Sequence, residues 1–195
     1  MAVLNGLIWL IQIFNDVVHT IGRAVSIGLI GLMVLAILVQ VFWRYVLSNP
    51  LPWPDEAARF CMLWLTGLMA PMAYRRGGFV AIDMITQFMA TRVAAILAIF
   101  LLVVSGCVLA IAIPIGIGEN TGFSANFKTA SLYYPTLDGT WEKVPRIWMS
   151  YSLLVGVVLL MIVNVELILR AFVTLLGGGG DLRPIPGTGA EVGAE

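Results

Sequence analysis

Residues 24–43 read AVSIGLIGLMVLAILVQVFW, twenty consecutive positions without a charge, with Arg23 before them and Arg44 after. A helix rises 1.5 Å per residue, so about 20 apolar residues cross the hydrocarbon core of a bilayer. Two further windows have the same character. Residues 93–118 are uncharged between Arg92 and Glu119. Residues 147–165 are uncharged between Arg146 and Glu166, and 171–176 prolong that helix beyond Arg170. The whole chain of 195 residues is 60% hydrophobic and 11% charged, with a mean hydropathy of +0.97. Soluble domains carry about 25% charged residues. So few charges cannot cover a water-facing surface, which makes this an all-α integral membrane protein and excludes a large soluble catalytic domain.

A fourth window, Phe60 to Tyr74, is shorter. Arg59 can carry its charge to the interface along its own stem, so a helix over 55–74 completes a set of four transmembrane helices at about 24–43, 55–74, 93–118 and 147–170. Pro71 is expected to bend it or loosen its last turn. Ahead of the first span, residues 1–22 mix Leu4, Leu7, Ile8, Leu10, Ile11 and Phe14 with Asn5, Gln12, Asn15, Asp16 and His19. That mixture predicts an N-terminal amphipathic helix in the interface, with His19 as an interfacial polar residue. No Lys or Arg precedes the apolar run, which argues against a cleavable leader. The four spans and their loops form one domain over 23–176, and residues 177–195, rich in Gly and Pro, form a flexible tail. The basic residues divide almost evenly between the two sides, six against five. The Arg75-Arg76 pair in a short loop favours cytoplasmic termini and an external loop over 119–145.

The chemistry available to such a chain is narrow. Eleven basic and eleven acidic residues cancel, which leaves no basic surface for nucleic acid. A single histidine cannot supply the two axial ligands of a haem anchor. Cys61 and Cys107 both lie in apolar runs, where cysteine behaves as a small hydrophobe. No constellation for catalysis, metal or cofactor binding is visible. Mid-membrane ionisable groups, the mark of an ion pathway, are missing from the span centres. The exceptions sit near the ends: Gln40, Asn164 and Glu166. Glu166 and Arg170, one turn apart, can pair, either as an interfacial ion pair or as a contact to a neighbouring membrane protein. Gly28, Gly31, Gly106 and Gly156 are candidates for close helix approach, and Trp43, Trp53, Trp141 and Trp148 for anchors at the membrane ends.

The connector after the first span, RYVLSNPLPWPDEAARF over 44–60, concentrates polar function. Three prolines stiffen it, and Asp55 and Glu56 fall in the first turn of the next helix, where the dipole favours negative charge. Arg59 stands i+4 from Asp55 and i+3 from Glu56, and Arg44 can reach the same carboxylates across the connector. Arg44-Tyr45, Pro50-Leu51, Trp53, Asp55-Glu56 and Arg59 together closely resemble the small membrane subunit of tripartite ATP-independent periplasmic (TRAP) transporters. A second match follows: Tyr74-Arg75-Arg76-Gly77-Gly78, then Ile82 and Asp83, with Phe79 where the family commonly has His. The resemblance covers about residues 20–176.

That resemblance implies a bacterial inner-membrane subunit without a transport site of its own. A periplasmic substrate-binding protein captures a carboxylate-containing solute, and a large multispan subunit moves it by an elevator motion driven by sodium. The small subunit enlarges the static scaffold and helps dock the binding protein; sodium coupling belongs to the large subunit. The residues expected to meet partners are Arg44, Trp53, Asp55, Glu56, Arg59, Arg75, Arg76, Asp83, Glu166 and Arg170. A four-span adaptor or assembly subunit of another membrane complex is the alternative reading.

Overall fold

The computed structural model describes residues 2–77, 91–122, 127–135 and 141–175. Among them are four helices: α1 (Ala2–Tyr45), α2 (Trp53–Gly77), α3 (Thr91–Thr121) and α4 (Ile147–Leu175). Two strands, β1 (Lys128–Pro135) and β2 (Trp141–Pro145), lie between α3 and α4. Three helical stretches are long and apolar enough to cross a membrane: Ile8–Tyr45, Ile96–Thr121 and Ile147–Leu175. The chain is therefore a helical membrane protein.

α1 is one uninterrupted helix of 44 residues, so residues 2–22 run directly on into the first span. One expectation needs correction: α2 forms over its expected length, but it is not among the three sufficiently apolar helices, because Asp55 and Glu56 open it and Arg75 and Arg76 close it. The β1–β2 hairpin is a small addition to an otherwise helical fold. The tail over 177–195 lies outside the described residues.

Contacts divide the chain into two units. The first comprises Met1–Thr20, Ala70–Ala112 and Val158–Glu195. Its buried residues include Ile8, Met72, Leu102, Val163 and Val173, together with Gln12, Asn15, His19, Arg75, Asn164 and Glu166. On α1 the buried positions 8, 12, 15 and 19 step by four, three and four, one face of a helix. Trp9, Leu10, Phe14 and Val17 are exposed instead. The polar stripe expected to face water is turned inward, and the apolar residues face out as lipid requires.

The second unit comprises Ile21–Met69 and Ile113–Val157. In it α2 and α4 cross closely: a Cβ added to Gly67 would collide with the Ser152 backbone, and one added to Gly156 would lie 2.9 Å from the Gly67 Cα. Only glycine permits that approach. A Cβ on Gly28 or Gly31 would meet nothing within 4 Å, so among the described residues no helix of this chain approaches closely there. α1 ends where Ser48 takes a positive φ of 51° and Pro50 prevents continuation. Pro54, with no amide hydrogen to leave unsatisfied, suits the first turn of α2. Trp43, Trp53, Trp141 and Trp148 all fall in this unit.

Candidate functional site

In the first unit, chain geometry gathers charges that lie far apart in sequence. Arg75, near the end of α2 and 5% exposed, donates from Nη1 to Asp16 Oδ1 of α1 at 2.5 Å. It also donates from Nη2 to Glu166 Oε1 of α4 at 3.0 Å, with its Nε 3.0 Å from Glu166 Oε2. Glu166 is completely buried. It further accepts from Asn15 Nδ2 at 2.5 Å and from Arg170 Nε at 3.1 Å. Two carboxylates and two guanidiniums thus cancel, as burial demands, since an unpaired ion in a membrane interior is costly. Both carboxylates are engaged by arginine, so their oxygens serve pairing within the chain.

A neutral cluster lies in the same unit. The Tyr74 hydroxyl donates to Asn164 Oδ1 at 2.7 Å, with the Ser105 hydroxyl 3.1 Å from the phenol oxygen. Asn164 Nδ2 in turn donates to the Leu102 carbonyl at 3.1 Å. A Cβ on Gly106 would stand 2.7 Å from that amide nitrogen. Gly106 therefore makes room for a hydrogen-bonding side chain rather than for a helix backbone.

In the second unit the polar focus is Glu56. The hairpin is antiparallel, but its register shifts: Tyr133 faces Lys143, whereas Lys128 faces Pro145. Residues 129–132 of β1 thus stand opposite Val144 alone, and this bulge frees backbone donors from the ladder. Glu56 accepts them: Ala130 N–H at 3.0 Å, Ser131 N–H at 2.7 Å and the Ser131 hydroxyl at 2.5 Å. Thr129 steadies the bulge by donating its hydroxyl to the Val144 carbonyl at 2.8 Å. Asp55 pairs with Arg59 at 3.0 Å in the open, with side chains 53% and 73% exposed. A groove of about 640 Å³ beside these residues is lined in part by Arg59, Lys128 and Arg146.

The sequence-predicted residues therefore separate. Glu56, half-buried, does not pair with Arg59 but anchors the hairpin. Arg44 does not reach the Asp55 and Glu56 carboxylates; its guanidinium sits 5.8 Å from the Tyr45 ring centroid. Trp53 is exposed beside the hairpin, lining a second groove with Tyr133 and Trp141. Arg75 and Glu166 face the chain's own interior, and the Glu166–Arg170 pair is one edge of a larger cluster rather than an isolated interfacial pair. His19 is buried. Arg76 is exposed, and Asp83 lies outside the described residues. The unpredicted members are Asn15, Asp16, Ser105 and Ser131. Asn15 and Asp16 could have been found from their cost: polar residues inside an otherwise apolar helix imply partners.

A family model described as tripartite ATP-independent periplasmic transporters, DctQ component, matches residues 33–174. No curated protein matches the chain, and no solved structure does.

Proposed function

The chain belongs to the DctQ family, the small membrane component of tripartite ATP-independent periplasmic transporters, and from that premise we propose that it acts as static support for the large subunit. Proteins of this family work with a large membrane subunit and a substrate-binding protein, and the family is one of transporter components rather than enzymes. In the reading proposed here, the complex takes up a carboxylate-containing solute through the bacterial inner membrane. The sodium gradient drives the mobile part of the large subunit, and this chain holds the frame against which it moves.

One observation carries this reading. The charged groups brought together inside the first unit are spent on one another: Glu166 accepts from Asn15, Arg75 and Arg170, Asp16 accepts from Arg75, and beside them Tyr74 binds Asn164. Groups committed to internal pairs favour packing over solute handling.

In the same reading α2 crosses the bilayer as a fourth span, with both termini cytoplasmic. Its length of 25 residues suffices. Its first turn binds the α3–α4 connector through Glu56, and its last turn binds the start of α1 and the end of α4 through Arg75. The Asp55–Arg59 pair and the groove beside it then face the periplasm and help dock the binding protein. Reconstitution of the large subunit and binding protein, with and without this chain, tests the proposal. Sodium-driven uptake should need the chain. Undiminished uptake without it would refute the supporting role.

A further inference from the structure

α1, α3 and α4 contain stretches apolar enough to span a membrane, and α2 does not reach that standard. Its charges explain why: three stand in its first two turns and two in its last. A helix of marginal apolarity leaves the bilayer easily unless its charges are answered there. Exposed Arg59 and Arg76 can reach the interface along their stems. Arg75 is placed differently. It is buried, and its guanidinium is shared between Asp16 of α1 and Glu166 of α4. We infer that α2 stays across the membrane because Asp16 and Glu166 together neutralise the buried charge of Arg75, a charge that the helix's marginal apolarity does not carry unanswered.

The order of synthesis gives this a consequence. Asp16 precedes α2 in the chain, but Glu166, which grips Arg75 through two nitrogens, comes only with the end of α4. The first partner is available when α2 emerges, and the second arrives after α3 and most of α4. α2 therefore becomes a secure span only once α4 has inserted. Asn15 and Arg170, which also donate to Glu166, orient the carboxylate for its late partner.

This rests on α2 being a span, and the test separates the two claims. In a full-length background with Cys61→Ala and Cys107→Ala, single cysteines are placed at Ala2 or Gly77. Each is then probed with a membrane-impermeant maleimide in sealed vesicles. If α2 spans, both sites lie on the same side; opposite sides in the otherwise unaltered chain would refute the span itself. With Glu166→Gln added, the two sites should lie on opposite sides in most molecules. The Gly77→Cys site should then change its labelling by at least tenfold relative to Ala2→Cys. Adding Arg75→Gln removes one cation for the anion already lost and should restore same-side labelling. Same-side labelling and normal yield with Glu166→Gln alone would overturn the inference. If Glu166→Gln is degraded instead, the double variant must recover a yield within twofold of the parent. A double variant no better than the single one would also overturn it.

Discussion

Replacing Glu56 with alanine removes one carboxylate that accepts three hydrogen bonds from the hairpin: two from backbone amides and one from the Ser131 hydroxyl. Hydrogen bonds to a charged group contribute about 1.5–3 kcal/mol each when well shielded. Glu56 is only half-buried, so water replaces part of each bond, and about 1 kcal/mol apiece is a fairer value. Their sum, about 2–4 kcal/mol, favours release of the bulge by roughly 30- to 700-fold, at tenfold per 1.4 kcal/mol. The hairpin remains tied by its own ladder and by Tyr134 stacked near Trp148, with centroids 5.6 Å apart, so the loss is local. Hydrogen exchange reads such local opening residue by residue. The amides of Ala130 and Ser131 should exchange faster by that factor in Glu56→Ala, while those within α3 and α4 change little. Asp55→Asn supplies the control. Its exposed pair with Arg59 contributes about 0–1 kcal/mol, and exchange at 130 and 131 should move less than about fivefold. Equal acceleration in the two variants would refute the assignment of Glu56 as the hairpin's anchor.

Two other outcomes can be checked directly. Gly67→Ala should lower stability in detergent unfolding by about 1–3 kcal/mol, the usual cost of overpacking, because the new methyl meets the Ser152 backbone. Gly28→Ala, with nothing within 4 Å, should change it by less than about 0.5 kcal/mol. Arg59→Glu should leave unfolding nearly unchanged, since its ion pair is exposed, yet slow uptake by the reconstituted complex. Normal uptake with intact assembly would exclude the corner around Asp55 and Arg59 from docking.

Much of the fold was legible because hydropathy alone sets it. The uncharged windows at 93–118 and 147–165 fall within α3 (Thr91–Thr121) and α4 (Ile147–Leu175). The inward-facing side of α1 was not legible, because Gln12, Asn15 and His19, buried in the structure, read singly as the wet side of an interfacial helix. Asp16 is paired with Arg75, 59 residues away, and a partner at that range leaves no local trace. The same limit hid the first unit's cluster. Glu166 and Arg170 were seen as an i, i+4 pair, but helix periodicity says nothing about Asn15 or Arg75. The hairpin left one sign that went unused: Asp138-Gly139 between Tyr133-Tyr134 and Trp141, a dipeptide common in hairpin turns. The bulge that presents Ala130 and Ser131 to Glu56 could not be read, because a register shift depends on cross-strand pairing rather than composition. Of the glycines, Gly67 and Gly156 proved the close-contact pair. At Gly28 and Gly31 an added Cβ would meet nothing within 4 Å among the described residues.

The central claim is that this chain supports a transporter without moving solute itself. The most direct measurement is solute accumulation by sealed vesicles containing only the purified chain under an imposed sodium gradient, compared with vesicles containing the large subunit, the chain and the binding protein. The account predicts accumulation in the complete system and none above empty vesicles for the chain alone. Gradient-dependent accumulation by the chain alone would contradict it.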